Sequence, residues 1–333
     1  MTGPRVRKAP HVDARWDDAV EMLLTAIGRD RLLYHLGHYT DGFDDIVVEI
    51  VDSEEPEDPD DSDDSDDSEE SGHSQTARTL STAVSQLEAD LIAVRTGSLI
   101  RVVLQTGQGV AYCDSVVPDQ HVIGFGSTEP PPAPLPWTAA RNVRAADELT
   151  SELATALRAR ISQQPLNPGG WKTLHDPDDD VDPAVVPVAT PESLRVQGDV
   201  TSTLADQCRK FVDPRDLHYV ALWADCEQVF TIDVFDDLKV GRFFHESITP
   251  AQRRRFYADL SRRLPSLVTQ FGRMCRQTLG GRVERLVLDV EMGAIYYYRV
   301  EAGEYLVGVT LDQSEVYPAD EKVARLAAAA RPL

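Results

Sequence analysis

The chain has 333 residues, with 33 Lys+Arg against 56 Asp+Glu and a formal net charge of -23. Thirteen of those carboxylates fall between Asp52 and Glu70 with no basic residue among them, so the rest of the chain carries -23 + 13 = -10. This balance argues against a globally nucleic-acid-binding protein, and no run approaches the roughly 18 apolar residues of a membrane helix.

The N-terminus, MTGPRVRKAPHVDARWDD, is basic but has no apolar stretch behind it, so it does not read as a secretory signal. From there a first structured region is expected over 13–162. It opens with an amphipathic helix over 14–27, then strands over 31–40 and 45–51 around the Asp41-Gly42 turn. An acidic insert over 52–75 is too polar to offset its ordering entropy by burial and should be disordered. A helix over 76–94 follows, then strands over 98–106, 109–117 and 121–126. A proline-rich insert, STEPPPAPLPW over 127–137, precedes a last helix over 139–161.

Residues 163–195, dense in Pro, Gly and Asp, read as a linker. The second region, 196–331, starts with a short helix over 202–212 and two strands over 217–225 and 228–235. A long helix over 251–279 comes next, opened by Thr249-Pro250 and stopped by Gly280-Gly281. Its apolar stripe should be Phe256, Leu260, Leu264, Leu267, Phe271 and Cys275, with Pro265 kinking it from the opposite side. Strands over 283–292, 294–300 and 305–311 and a helix over 319–330 complete the chain. The fold class is therefore α+β: two tandem modules, each a five-stranded antiparallel sheet with a long central helix and flanking helices, in the order α-β-β-α-β-β-β-α.

That order, and GRVERLVLDVEMGAIYYYRVEAGEYLVGVTLD (281–312) as a closing meander, resembles the roadblock/dynein-light-chain family of the profilin-like group. The resemblance implies a non-enzymatic cytoplasmic scaffold without cofactor, and a partner such as a small GTPase. Domains of this family pair through the central helix and the strand beside it. Here these would be 251–279 with 283–292, and 76–94 with 98–106, giving a monomeric pseudo-dimer or a homodimer. The chain also resembles secretion-type peptide-binding chaperones, whose client would be a basic peptide that suits a strongly negative protein. A divergent enzyme with an unrecognised site is the third reading.

No P-loop, GxGxxG, GxSxG, HExxH or paired CxxC occurs. His35-x-x-His38 is the closest approach to a metal pair, but on one strand these residues face opposite sides of a sheet. Asp233, Asp236 and Asp237 read as a solvated turn rather than a cation site. The four cysteines lack metal spacing and read as reduced thiols, Cys226 and Cys275 with no activating base in view. Only five basic residues are lysines, in keeping with a GC-rich bacterial genome. Tyr296, Tyr297 and Tyr298 alternate across a strand, with Tyr297 alone on its face. Between Arg242 and Arg285 stand ten arginines against Glu246, Asp259 and Glu284. The candidate partner-binding residues are Arg255, Arg262, Arg273 and Arg276, opposite the apolar stripe, together with Tyr297. This basic stripe would meet an acidic partner, a nucleic-acid backbone or the chain's own 52–70 tract.

Overall fold

The structure, a computed structural model, describes residues 3–29, 32–50, 71–92, 96–128, 136–161, 193–244 and 248–331. Most of the acidic insert, of the proline-rich insert and of the linker lies outside the described residues. The architecture is mixed helix and strand, with antiparallel ladders. Its residues form two compact units. One comprises Met1–Ala89, Val102–Leu166 and Phe271–Arg282, the other Asp90–Arg101, Asn167–Gln270 and Val283–Leu333. Residues 90–101 and 271–282 thus fall with the opposite unit from the one that a single cut at 163–195 assigns.

The elements of the first half run in order as strand β1 (Pro4–Lys8), helix α1 (Asp17–Gly28), β2 (Leu33–Thr40), β3 (Phe43–Ile50) and α2 (Gly72–Ile92). These are followed by β4 (Leu99–Thr106), β5 (Gly109–Val117), β6 (Gln120–Ser127) and α3 (Pro136–Ile161). The sheet order is β1-β3-β2-β6-β5-β4. The β2–β3 hairpin closes with Asp41 and Gly42 both at positive φ, 51° and 78°, the pair that a tight two-residue turn requires. Helices α1 and α3 cover one face of the sheet, and α2 lies on the other, where His73 and Ser81 meet His35 and His121. Leu23, Ile27, Leu36, Val48, Leu80 and Phe125 are among the fully buried side chains. Burying a residue of that size contributes about 1.5–3 kcal/mol.

The later elements repeat that order: β7 (Arg195–Gly198), α4 (Thr203–Phe211), β8 (Tyr219–Ala224), β9 (Glu227–Asp233) and α5 (Pro250–Met274). A one-turn α6 (Arg276–Leu279), β10 (Val283–Val290), β11 (Gly293–Arg299), β12 (Glu304–Thr310) and α7 (Val316–Ala330) complete it. The sheet order is β7-β9-β8-β12-β11-β10. Helices α4 and α7 pack together and α7 covers β11 and β12, while α5 lies on the other face.

Three expectations need correction. Each sheet gains an edge strand that the five-strand template lacks: β1 on β3 and β7 on β9. Helix α2 begins at Gly72, so the end of the acidic insert is helical rather than disordered. The long helix stops at Met274 and a separate turn begins at Arg276, because the Cys275 backbone leaves the helical region.

Candidate functional site

The most distinctive surface lies on α5. Its start is a reciprocal cap. The Thr249 hydroxyl accepts from the Gln252 N–H (3.2 Å), the Gln252 amide oxygen accepts from the Thr249 N–H (2.8 Å), and Pro250 takes the first helical position. The buried stripe is Tyr257, Leu260, Leu264, Val268, Phe271 and Cys275. Phe256 and Leu267, expected in that stripe, are half-buried at its flanks, so the register is rotated by one residue in two of its turns. The helix runs unbroken through Pro265, which has no N–H to offer the Ser261 carbonyl four residues back. The Tyr305 hydroxyl of β12 donates to that carbonyl instead (3.0 Å), which fastens the helix to the sheet at its weakest rung.

Beneath α5 the sheet presents a layer of aromatic rings. Tyr219 stacks on Phe235 at 5.8 Å and meets Tyr257 at 5.7 Å; Trp223 stacks on Tyr305 at 6.2 Å. Tyr297 belongs to this layer. It packs on Tyr305 at 5.2 Å and is only 6% exposed, which corrects its assignment as a partner-binding residue. Its ring is drawn into the core because β11 turns this face towards the helix. Tyr296 and Tyr298 point the other way, their hydroxyls donating to Val316 O and to Asp320 of α7 (2.6 Å each).

On the outer side of α5, Arg255, Arg262, Arg263 and Arg273 are exposed beside a lone acid, Asp259, and the other exposed positions are uncharged. Arg276 on α6 is exposed too. The ten arginines counted in the sequence are not all available. Arg254 grips Asp233 (2.9 and 2.7 Å) and Asp236 (2.6 Å), Arg242 pairs with Asp312 (2.6 Å), Arg285 pairs with Asp320, and Arg253 is buried with its guanidinium on the Met292 sulfur (3.6 Å). Arg255, Arg263, Arg273 and Arg276 make no ion pair among the described residues. Arg262 touches Asp259 at 3.3 Å, and its guanidinium lies 5.8 Å from the Trp223 ring.

The remaining candidates are spent on packing. His35 Nδ1 meets Glu49 (2.8 Å) and its Nε2 meets the Tyr39 hydroxyl (2.9 Å); His38 Nδ1 meets Asp45 (2.8 Å) on the other face, where it touches Trp16. The two rings do not converge, and no cluster among the described residues could hold a metal ion. Burial lowers the His35 pKa more than the Glu49 partnership raises it, so His35 is neutral and donates. Burial alone would raise Glu49, but hydrogen bonds from His35 and Ser71 outweigh it and hold the carboxyl at about 2. Asp233 and Asp236 both accept from Arg254, and Asp237 accepts from Ser193 (2.6 Å) and the Lys239 N–H (2.9 Å). Burial pushes the Cys275 thiol up to about 12, and Cys226 is exposed in the β8–β9 turn.

Sequence reasoning missed the buried charged centres, among them the Arg101–Asp289 pair and the one around Lys322. Lys322 sits on the buried face of α7, its ammonium on Asp213 (2.6 Å) and Asp216 (2.5 Å), both buried. The signal was present in Lys322 itself, flanked in helical register by the apolar Ala319, Val323 and Leu326.

No protein family and no curated protein matches the chain. Solved structures that share weak likeness with the chain include the following two. "MglB with tetrameric arrangement" is 13% identical over 43% of this chain and 94% of that one, at a TM-score of 0.28. The gliding protein mglB from Thermus Thermophilus is 17% identical over 43% of this chain and 93% of that one, at a TM-score of 0.27. Likeness at that level says nothing about what this chain does. No helix among the described residues is long and apolar enough to cross a membrane.

Proposed function

We propose that the chain is a non-enzymatic cytoplasmic adaptor that binds a partner protein through folded helix-on-sheet surfaces, foremost the outer face of α5. One observation carries this: three exposed arginines within 251–270, Arg255, Arg262 and Arg263, stand against the single acid Asp259 on a chain of net charge -23. A solvated face on so acidic a protein gains nothing from concentrating positive charge, whereas a recognition face does. Strands β1–β6 and β7–β12 follow the same lateral order, each with an added edge strand, which supports reading them as tandem roadblock-like modules. That reading makes a small GTPase the first partner class to test.

The test is equilibrium binding of the full chain to a purified small GTPase, isolated from its own cells, loaded with GDP or with a non-hydrolysable GTP analogue. A preference for one nucleotide state of about tenfold, some 1.4 kcal/mol, is expected. Binding to unfolded basic peptides with none to the folded GTPase would replace the adaptor with a chaperone.

A further inference from the structure

We propose that the outer face of α5 is the docking track for an extended acidic segment of a partner protein, engaged by Arg255, Arg262 and Arg263. This rests on the adaptor reading and adds the partner's chemistry to it. The spacing sets the ligand. Arg255 and Arg262 are seven residues apart, about 10 Å along a helix rising 1.5 Å per residue. A segment in the polyproline II conformation, with about 3.1 Å of rise per residue and three residues per turn, covers about 9 Å in three residues and turns every third side chain to the same face. Carboxylates at every third position therefore meet the two guanidinium groups in turn, and Arg263 flanks the same track. Farther along the face, Ser266 and Gln270 offer neutral hydrogen-bonding groups rather than opposing charge.

Two features separate this face from ordinary solvated charge. Arg255 and Arg263 have no ion-pair partner among the described residues, so their donors need not be released from an internal carboxylate before binding. Arg262 is partly ordered in advance by the Trp223 ring at 5.8 Å and Asp259 at 3.3 Å, which leaves less side-chain entropy to lose. A planar guanidinium fork matches a carboxylate better than an ammonium would. The net negative charge of the chain opposes an acidic ligand only over distance. At about 0.1 M salt the Debye length is about 10 Å, so that repulsion is damped while a contacting pair is kept.

The probe is a synthetic peptide of repeated Glu-Ser-Ser triplets about twelve residues long, titrated into the full-length protein at about 0.1 M salt. The variants are R255E/R263E and, as a control at an exposed position on β7, R195E. The double variant should bind the peptide about tenfold more weakly, since each reversal replaces an attraction with a repulsion, and R195E should match the wild type. Unchanged thermal melting would show that the double variant is folded. Equal weakening by R195E, or no peptide binding by the wild type, would overturn the proposal. So would tighter binding of a single-stranded oligonucleotide of equal charge, which would make the face a polyphosphate site. A partner GTPase that binds R255E/R263E as tightly as wild type would remove this track and leave the adaptor reading standing. Failure of wild type to bind any folded partner would remove the adaptor reading, whatever the peptide does.

Discussion

At the scale of single residues, the structure depends on a few buried polar groups whose partners are fixed. Lys322 is shared by Asp213 and Asp216, and its replacement leaves Asp213 without its cation and Asp216 with the exposed Arg215 alone (3.2 Å). Lys322→Met should cost about 3–5 kcal/mol, measured by denaturant unfolding, whereas a loss under about 1 kcal/mol would mean that water satisfies these carboxylates. Histidines set the acid limit. Burial lowers His121 in the first unit and His218 in the second to about 4. His218 Nδ1 accepts from the Leu311 N–H (3.0 Å), a bond the protonated ring cannot make. Well above pH 6.5 both rings are neutral whether the chain is folded or unfolded. As pH falls below about 6.5 the unfolded chain takes up protons that the native state refuses, so stability is lost progressively down to about pH 4, by about 3 kcal/mol per histidine. Unfolding followed from about pH 7 to about pH 4 should show this decline, and His218→Gln should flatten part of it. These assignments were hard to read in the sequence, because a histidine or lysine declares its burial only through the elements around it.

At the scale of elements, α5 was legible in its start but not in its end or its register. Strand periodicity and the Asp41-Gly42 and Gly280-Gly281 punctuation located most strands within a few residues. The edge strands β1 and β7 were missed because an edge strand buries little: PRVRK and RVQG show neither alternation nor apolar run. In α5 the apolar count favoured Phe256 over Tyr257 since both are aromatic; the choice was made by the layer of rings below, where Tyr257 meets Tyr219 and Phe235. Tyr297 was misplaced for the same reason, its partner Tyr305 being visible only across the strand pair. Tyr297→Ala should therefore cost about 3–5 kcal/mol of stability while partner affinity of the folded variant is unchanged. The Pro265 rung gives a sharper test. Tyr305→Phe should destabilise by about 1–2 kcal/mol, having left the Ser261 carbonyl without a donor. Pro265→Ala, which restores a backbone N–H to that carbonyl, should recover much of the loss in a double-mutant cycle. Additive effects would show that Tyr305 matters only through its ring.

At the scale of the whole molecule, charge is divided between an acidic sequence tract and a basic helix face. Deleting 52–70 changes the net charge from -23 to -10 and should raise affinity for polyanions at low salt, with the difference fading as salt screens it. No change on deletion would show that the tract exerts no field at the basic face. The succession of most helices and strands along the chain was legible, since each carries its own period. Which chain segments complete each unit was not, because residues 90–101 and 271–282 read locally like the ends of their own elements. The central claim is that a folded partner is bound through the outer face of α5. Its most direct measurement is the affinity of full-length wild type and R255E/R263E, both shown to be folded, for one purified partner GTPase. The account predicts that the wild type binds one nucleotide state and that the double variant loses about tenfold of that affinity. Equal affinity of the two proteins, or no binding by either, would contradict it.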